Sequence, residues 1–514
     1  MLKNKILDCT LRDGGYYTNW DFDKAIVDKY IKAIEVLPID YVELGYRNKP
    51  ASNYLGKYGY CPPFELERIK NNTSKKIAVM LNEKDVSPAD LSLLLDPITG
   101  LVDMVRMAVD PKKFDRAVKL AESVKKCGFE VGFNVMYMSQ WNEIDGFMDS
   151  LSSVNNIVDV FCMVDSYGGV SPMEVTNTLN SLKDKISCLI GFHGHNNLEL
   201  SLANTLAAIS NGVDFVDTTI LGMGRGSGNL KTELLLTYLN KNYDLKVDFN
   251  VLGEVVYSFS ELKKKYMWGT SLPYMIAGAN SFPQKDVMEM TNNRRYSFNS
   301  IVRKINNKKN NVLDNAKFPL LPKNEFDNVI IIGGGENAAI HNDGVREFIK
   351  NNSCTALVHA SAKNAIYYKD VNVPQYFCLI GDEANRISDV FPNKDFQEVC
   401  VLPPYPREFG TLVYDFLKEK TFELEKFEFT ETFRNASTTV ALQTAALLSK
   451  SKKYFIVGYD GYVGNIMSEK EIELTNENNL LFSQFKNFYN VPIISLTPSV
   501  YSELEAKSVY EYLQ

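Results

Sequence analysis

The sequence predicts an α/β protein in two parts: an N-terminal (β/α)8 barrel with a helical extension, and a C-terminal Rossmann-like α/β domain. Three observations carry this. Over residues 1–240, eight apolar runs recur at roughly 25–35 residue intervals, each followed by polar, helix-compatible sequence, the rhythm of repeated βα units. A second series of apolar runs starts near residue 326, after a polar and then proline-rich stretch. The length of 514 residues, at roughly 100–200 per domain, also calls for more than one core.

In order, the first eight runs are KILDCTL, YVELGY, KIAVML, VDMVRMAV, EVGFNVMYM, VDVFCMVD, CLIGFHGH and DFVDTTIL. Eight parallel strands with intervening helices suggest a closed barrel, with an open doubly wound sheet as the alternative. Segments such as DKAIVDKYIKAIEV and KKFDRAVKLAESVKKCG space apolar residues three or four apart, as helices packed on a barrel would. Residues 241–305, with VLGEVVYSFSELKKKY and YSFNSIVRKINNKK, read as a helical extension. Residues 306–325, NNKKNNVLDNAKFPLLPKNE, read as a linker. From 326 to 514 the runs NVIIIGGG, TALVHAS, YFCLIGD, EVCVLP, YFIVGYDG and PIISLTP read as strands of a second α/β domain, and EKTFELEKFEFTETF as an amphipathic strand.

Composition narrows the function. Hydrophobic residues make up 45% and charged residues 23%, with 30 Gly and 19 Pro, which excludes a mainly disordered or collagen-like chain. The 56 Lys+Arg against 63 Asp+Glu leave −7, so no global basic field exists to hold nucleic acid or an anionic membrane, and small-molecule partners are expected. There is no apolar run of about 18 residues and no secretion-like N-terminus, so the expected location is cytoplasmic with no membrane span. The eight cysteines form no CxxC pair, which argues for reduced, mostly buried thiols.

Histidine is scarce, with four in the chain, and two of them stand in GFHGHNN at the end of the seventh run. Residues i and i+2 of a strand share a face, so His193 and His195 can converge on one ion at the barrel mouth; as ordinary polar residues they would need no ion. LDCTLRDGGYY brings Arg12 and Asp13 to the same mouth, either as a carboxylate joining the imidazoles or as a salt-bridged turn. After the eighth run, LGMGRGSGN offers glycines that let backbone amides approach an anion, and Asn229 as an oxygen ligand or hydrogen-bonding group.

Together, TLRDGG and FHGHNNLELSLANTLAAISNGVDFVDTTILGMGRGSGN resemble the metal-dependent aldolases and Claisen-type synthases of the DRE-TIM, or HMG-CoA lyase-like, family. WGTSLPYMIAGANSFPQKDV is similar to the helical extension of the 4-hydroxy-2-oxoacid aldolases, so the resemblance spans residues 1–305. It implies a divalent metal, Mn2+ or Mg2+, held by Asp13, His193 and His195, with Asn229 as a ligand or near-ligand. It implies that Arg12 stabilises an enolate oxygen and that Glu43 stands behind the metal ligands. The implied substrates are a 2-oxoacid such as pyruvate and an aldehyde. One position departs from the family: where the aldolases carry an acid/base histidine three residues after the aspartate, this chain has Tyr16, with Tyr17 beside it. Tyr16 or a metal-bound water then carries the proton, or Tyr16 merely packs.

In the second domain, VIIIGGGENAAIHNDGVREFIKNN places Gly333, Gly334 and Gly335 after a strand, a context for phosphate held by backbone amides, without a full dinucleotide fingerprint. NASTTVALQTAALLSKSKKYFIVGYDGYVGN resembles the DUF115, or motility-accessory-factor, family, which implies transfer chemistry on nucleotide-bound substrates. Asp460 and Asp382 are candidates to hold a metal–diphosphate, or serve as loop and cap acids. His341 and His359 lack ligand spacing.

The expected protein is therefore a metal-dependent aldolase fused to a transferase-like domain that binds a nucleotide or sugar-phosphate, in surface polysaccharide construction. The alternatives are a Claisen-type acyl-thioester synthase or lyase, and a C-terminal transferase with a non-catalytic sensor barrel. Homo-oligomerisation through the extension is left open.

Overall fold

The computed structural model describes residues 3–51, 54–292, 298–311, 316–392, 395–407, 411–462 and 469–514. Parts of the expected extension (293–297) and linker (312–315), and the end of the GYVGN motif, lie outside the described residues. The chain divides into two compact units, Met1–Asn292 and Asn293–Gln514. The division falls inside the stretch 241–305 read as one extension: helices Phe249–Tyr266, Leu272–Ala279 and Gln284–Asn292 belong to the first unit, and helix Phe298–Lys309 to the second.

The first unit is a closed barrel of eight parallel strands in sequential order. These are β1 (Lys5–Asp8), β2 (Tyr41–Tyr46), β3 (Lys76–Asn82), β4 (Met104–Val109), β5 (Glu130–Val135), β6 (Val160–Asp165), β7 (Leu189–Gly194) and β8 (Phe215–Thr218). Closure comes from β1 pairing with β8, Asp8 opposite Thr218. Inside the barrel, Leu7, Cys9, Tyr41, Ala78, Met104, Val160 and Phe215 form a small buried cluster. The alternate strand residues, such as Val105, Val131 and Phe161, join the larger core together with helix faces such as Ala117, Ala121 and Val124. Parallel strands buried on both faces account for the near-continuous apolar runs. Local chemistry agrees: Asp23 caps helix Lys24–Val36 by accepting from the Ala25 and Ile26 amides, and Ser171 and Glu174 form a capping box ahead of Pro172–Lys183.

One boundary differs from the expectation. The first run ends as a strand at Asp8, and Thr10–Thr18, containing TLRDGG, is a helix. The glycines that suggested a turn serve close packing instead: a Cβ on Gly14 would come within 2.5 Å of the Met223 sulfur, and one on Gly15 would overlap the Trp20 ring.

The second unit is a parallel sheet ordered β13-β12-β11-β10-β9-β14-β15-β16. Its strands are β9 (Asn328–Ile332), β10 (Thr355–His359), β11 (Gln375–Cys378), β12 (Val399–Leu402), β13 (Thr421–Glu423), β14 (Tyr454–Val457), β15 (Ile493–Ser495) and β16 (Glu505–Ala506). One face packs on helix Ser437–Leu448 through residues such as Ile331, Ile456 and Val440. The other packs on helix Asn342–Asn351 through Ile330, Val457, Val345 and Phe348. The order reverses at β9, which pairs with β10 on one side and β14 on the other, so a topological switch point lies between β9 and β14. The run expected as an amphipathic strand is one only over Thr421–Glu423; beyond it Leu424, Phe427 and Phe429 are buried from irregular backbone, because a core contact needs no ladder. No helix among the described residues is long and apolar enough to cross a membrane.

Candidate active site at the barrel mouth

A cleft of about 440 Å3 opens in the first unit, lined by Arg12, Asp13, Tyr16, His193, His195 and Arg225 among others. It forms where the strands end and the following segments begin, the face on which barrel enzymes carry their chemistry.

The helix after β1 supplies Arg12, Asp13 and, one turn on, Tyr16. Arg12 Nε donates to Glu43 Oε2 at 2.7 Å, and its Nη1 pairs with Asp13 Oδ1. Burial alone would favour the neutral base, but Asp13 and Glu43 raise the Arg12 pKa well above its usual range. Burial also opposes charge on Asp13, yet Arg12, the two histidines and Arg225 hold that carboxyl below the ordinary value. Asn229 Nδ2 donates to Asp13 Oδ2 at 2.6 Å, while the buried Asn229 Oδ1 has no hydrogen-bond partner among the described residues.

His193 closes β7, and His195 follows in a short antiparallel bridge to Asn229; their rings are 5.0 Å apart. His193 Nδ1 donates to Asp217 Oδ2 at 2.9 Å, and His195 Nδ1 donates to the Asp165 carbonyl at 2.8 Å. Both acceptors fix the Nδ1–H tautomer and leave each Nε2 lone pair free. Burial, and then His193, push the His195 imidazole down to about 3, which keeps it neutral. Nε2 of His193 lies 3.6 Å from Asp13 Oδ2.

Behind these groups runs a buried charge network. Arg106 Nη2 donates to Asp217 Oδ2 at 2.6 Å, and its Nη1 lies 3.4 Å from Glu43 Oε2. Burial favours the neutral acid at Asp217, but Arg106 and His193 bring it down to about 2. Glu43, fully buried, thus braces Arg12 and touches neither histidine in the described contacts.

Tyr16 hydroxyl lies 2.9 Å from that of Tyr46, at the end of β2, and the Arg225 guanidinium sits 4.2 Å over the Tyr16 ring. Tyr17 turns away from the cleft, packing beside Tyr266 and Trp268. The segment around 268–287 packs against this mouth: Asn197 Nδ2 donates to the Tyr274 carbonyl, and Gln284 Nε2 donates to the Ser166 carbonyl at 3.3 Å.

Sequence reasoning missed Arg106 and Asp217, which stand in quoted runs, MVRMAV and FVDTTIL. A charge inside an otherwise apolar parallel strand was the signal, because such a group must find a partner indoors. It also missed Cys9. Its sulfur, buried, lies 3.9 Å from Asp13 Oδ2, and Cys9, Asp13 and His193 offer ligand atoms within 4.8 Å of one another. Burial, only partly offset by Arg12, pushes that thiol's pKa well up.

In the second unit a crevice of about 610 Å3 lies at the ends of β9 and β14, lined by Gly333, Gly334, Gly335, Lys363, Thr438 and Asp460 among others. A Cβ on Gly335 would sit 2.5 Å from Asp460 Cγ, so only glycine lets that strand end meet the carboxylate. Asp460 Oδ2 accepts from the Asn337 amide at 2.9 Å; its Oδ1 is buried without a partner among the described residues. Asp382 is not brought there and pairs with Arg303 at 3.0 Å. His341 meets the Tyr510 hydroxyl at 3.2 Å, and His359 is a core residue.

A parallel barrel with a carboxylate and two imidazoles at its mouth has the architecture of the metal-dependent carbon–carbon lyases. A model of the HMGL-like family matches residues 104–256. A 4-hydroxy-2-oxovalerate aldolase of Geobacillus thermodenitrificans is 32% identical over 242 residues, 46% of this chain and 69% of the relative. An oxaloacetate decarboxylase of Mycobacterium tuberculosis is 27% identical over 246 residues, 46% of this chain and 70% of its own length. Among solved structures, the N-terminal domain of a candidate aldolase from Bacteroides vulgatus is 59% identical, covering 58% of this chain and 99% of that one with a TM-score of 0.56. The chain belongs to the HMGL-like family, whose aldolases use a divalent metal.

Proposed function

We propose that the barrel is a metal-dependent aldolase that makes or breaks a carbon–carbon bond through the enolate of a 2-oxoacid such as pyruvate, with an aldehyde as partner. The observation that carries this reading is the convergence of Asp13, two imidazoles with free Nε2 lone pairs and the unpartnered Asn229 Oδ1 beside the Arg12 guanidinium. These donors suit a divalent ion, Mn2+ or Mg2+, with Asp13, His193, His195 and Asn229 as its ligands. Such an ion, when bound, polarises the ketone and carboxylate oxygens of the 2-oxoacid.

The protein's own groups do the rest. Arg12 uses Nε and Nη1 on Glu43 and Asp13, which leaves Nη2 to donate to the oxygen that gains charge as the bond breaks. Asp217 and the Asp165 carbonyl hold the imidazoles in register. In the synthetic direction Tyr16 gives its phenolic proton to the aldehyde oxygen as it becomes an alkoxide, forming the hydroxyl, and Tyr46 relays a proton to Tyr16 across their 2.9 Å hydrogen bond; cleavage returns the proton by the same route.

The test is proton NMR of pyruvate methyl exchange in D2O, with Mn2+ or Mg2+, which needs the enolate but no aldehyde. Exchange that depends on the added ion, and that falls by about 10³-fold in Asp13→Asn, is expected from loss of several kcal/mol of charge stabilisation. No exchange by the native chain with either ion would refute the reading and move acyl-thioesters forward.

A second site is favoured by the crevice at the β9/β14 switch point, where Lys363 and an unpartnered Asp460 Oδ1 face a glycine-lined floor. This crevice suits the phosphates of a nucleotide or sugar-phosphate with its metal ion. Titration calorimetry with Mg2+–ADP and with glucose 1-phosphate should show binding that weakens by about 10-fold in Asp460→Ala, the worth of one charge-assisted contact. Absence of heat with both ligands would remove it.

A further inference from the structure

We propose that Arg225 forms an anion subsite in the barrel cleft, so that the substrate carries a second negative group, a carboxylate or phosphate, beyond the carboxylate of the 2-oxoacid. The inference rests on the aldolase reading for the identity of the first group, and on Arg225 alone for the second.

Arg225 differs from the arginines around it. Arg12 pairs with Asp13 and Glu43, Arg106 with Asp217 and Glu43, and Arg116 with Glu83. Among the described residues Arg225 forms no ion pair and donates no hydrogen bond; its fixed contact is the Tyr16 ring, 4.2 Å from the guanidinium carbon. A cation–π contact holds the group in place while leaving its five N–H donors unspent. An unpaired cation in a partly desolvated cleft is costly, and a bound carboxylate or phosphate removes that cost with two parallel hydrogen bonds.

The loop that presents Arg225 is packed rather than slack. A Cβ on Gly224 would lie 2.6 Å from Asn229 Nδ2, and one on Gly226, at φ +59°, would lie 2.6 Å from the Tyr274 ring. The backbone on each side of Arg225 is therefore pressed against its surroundings, which pre-organises the cation. Asp13, the carboxylate of the site, is already taken by Arg12 and Asn229 and is no counter-ion to spare. Glu83, Asp110 and Asp286 also line the cleft, and among the described residues none of these carboxylates forms an ion pair with Arg225.

Two substrates satisfy this chemistry: an aldehyde bearing the anion, or a 2-oxoacid with a second carboxylate. The test compares the metal-loaded full chain with Arg225→Gln and Arg225→Lys. With pyruvate, the acceptors are succinic semialdehyde, glyceraldehyde 3-phosphate and butanal; oxaloacetate is tried alone. The reading is the ratio of kcat/KM for a charged over a neutral acceptor, or for oxaloacetate over pyruvate exchange. Arg225→Gln should lower one of these ratios by about 30-fold, the worth of a hydrogen-bonded charge pair, and Arg225→Lys should restore part of it. The first ratio falling places the anion on the aldehyde, the second on the oxoacid.

If Arg225→Gln slows charged and neutral substrates equally, Arg225 acts only through Tyr16, and the proposal is overturned; unchanged ratios overturn it as well. Titration calorimetry of the same variants with succinic semialdehyde against butanal, and with oxaloacetate against pyruvate, gives both comparisons without turnover. Should the native chain show no pyruvate exchange but keep a charge discrimination that Arg225→Gln removes, the enolate reading fails and the anion subsite stands.

Discussion

Two crevices of this protein, the barrel cleft and the one at the β9/β14 switch point, both at the C-terminal ends of parallel strands, are built from opposite materials. The barrel mouth is built on side-chain charge: Arg12 and Asp13 line it, and Glu43, Arg106 and Asp217 stand behind them, all five buried and linked in one network. The crevice of the second unit has a floor of three successive glycines, rimmed by side chains such as Lys363, Thr438 and a half-buried Asp460. Fixed charges in a low-dielectric mouth suit a small ion and a developing oxyanion, because their orientation is settled before substrate arrives. Glycine-lined backbone suits a bulky phosphate, which needs room and amide donors more than fixed charge. The difference also assigns risk: removing one partner from the barrel network strands a buried charge, at about 3–5 kcal/mol.

The sharpest way to break the comparison is to remove chemistry from the barrel without disturbing its charges. Tyr16→Phe keeps the ring under Arg225 and deletes only the hydroxyl. Aldol addition should fall by about 10³-fold, within the range for general acid–base groups, while metal binding followed by Mn2+ paramagnetic relaxation is unaffected. A loss below about tenfold would leave the proton to water and make Tyr16 a packing residue.

In the second unit one buried titratable group, His359, is structural, and acid should reveal it. His359 Nε2 donates to Gln375 Oε1 at 2.8 Å, its Nδ1 has no partner among the described residues, and its ring stacks on Phe377 at 4.3 Å. Burial lowers its pKa from 6.5 to about 4, only partly offset by Gln375. Between those two values the unfolded chain binds more protons than the folded one, so stability rises with pH across pH 4 to 6.5 and is lost as pH falls. The contribution is about 3 kcal/mol at most. Denaturant unfolding of the second-unit transition at pH 7 and pH 4 checks it; an equal pH response in His359→Leu would assign the sensitivity elsewhere.

The smallest effect expected is at the back of the barrel site. Asp217→Asn removes the charge that orients His193 but keeps a hydrogen-bonding oxygen, so metal affinity should fall by about 10–100-fold. Competition against a chelator measures this, and an unchanged affinity would mean that Arg106 and the strand alone fix the imidazole.

The legibility of the two sites in the sequence follows the same division. The (β/α)8 barrel and the α/β class of the second unit were legible because parallel strands covered on both faces read as apolar runs at regular intervals. His193 and His195 were legible because an i, i+2 pair at a strand end needs only local geometry to face one cleft; Asp13 was expected at the same mouth, which it reaches from the helix after β1. The short β16 was not, since two residues carry no periodicity, and β13 was legible only as the start of a longer run whose remainder is irregular. The end of β1 at Asp8 was misjudged because helix Thr10–Thr18 tolerates its two glycines only through packing with Met223 and Trp20, residues remote or out of pattern in the sequence.

By itself, then, the sequence determined which residues form the repeating units, which strand ends carry the scarce histidines, and that the chain holds a barrel followed by a second sheet. Tertiary structure alone decided that Glu43, Arg106 and Asp217, from three strands up to 174 positions apart by number, interlock behind Arg12 and His193. It alone decided that, among the described residues, Arg225 stands over Tyr16 without an ion pair while Arg12, Arg106 and Arg116 are claimed. The physical reason is that a charge's partner inside a closed barrel is set by which strands the closure brings side by side, and no local pattern of residues records that.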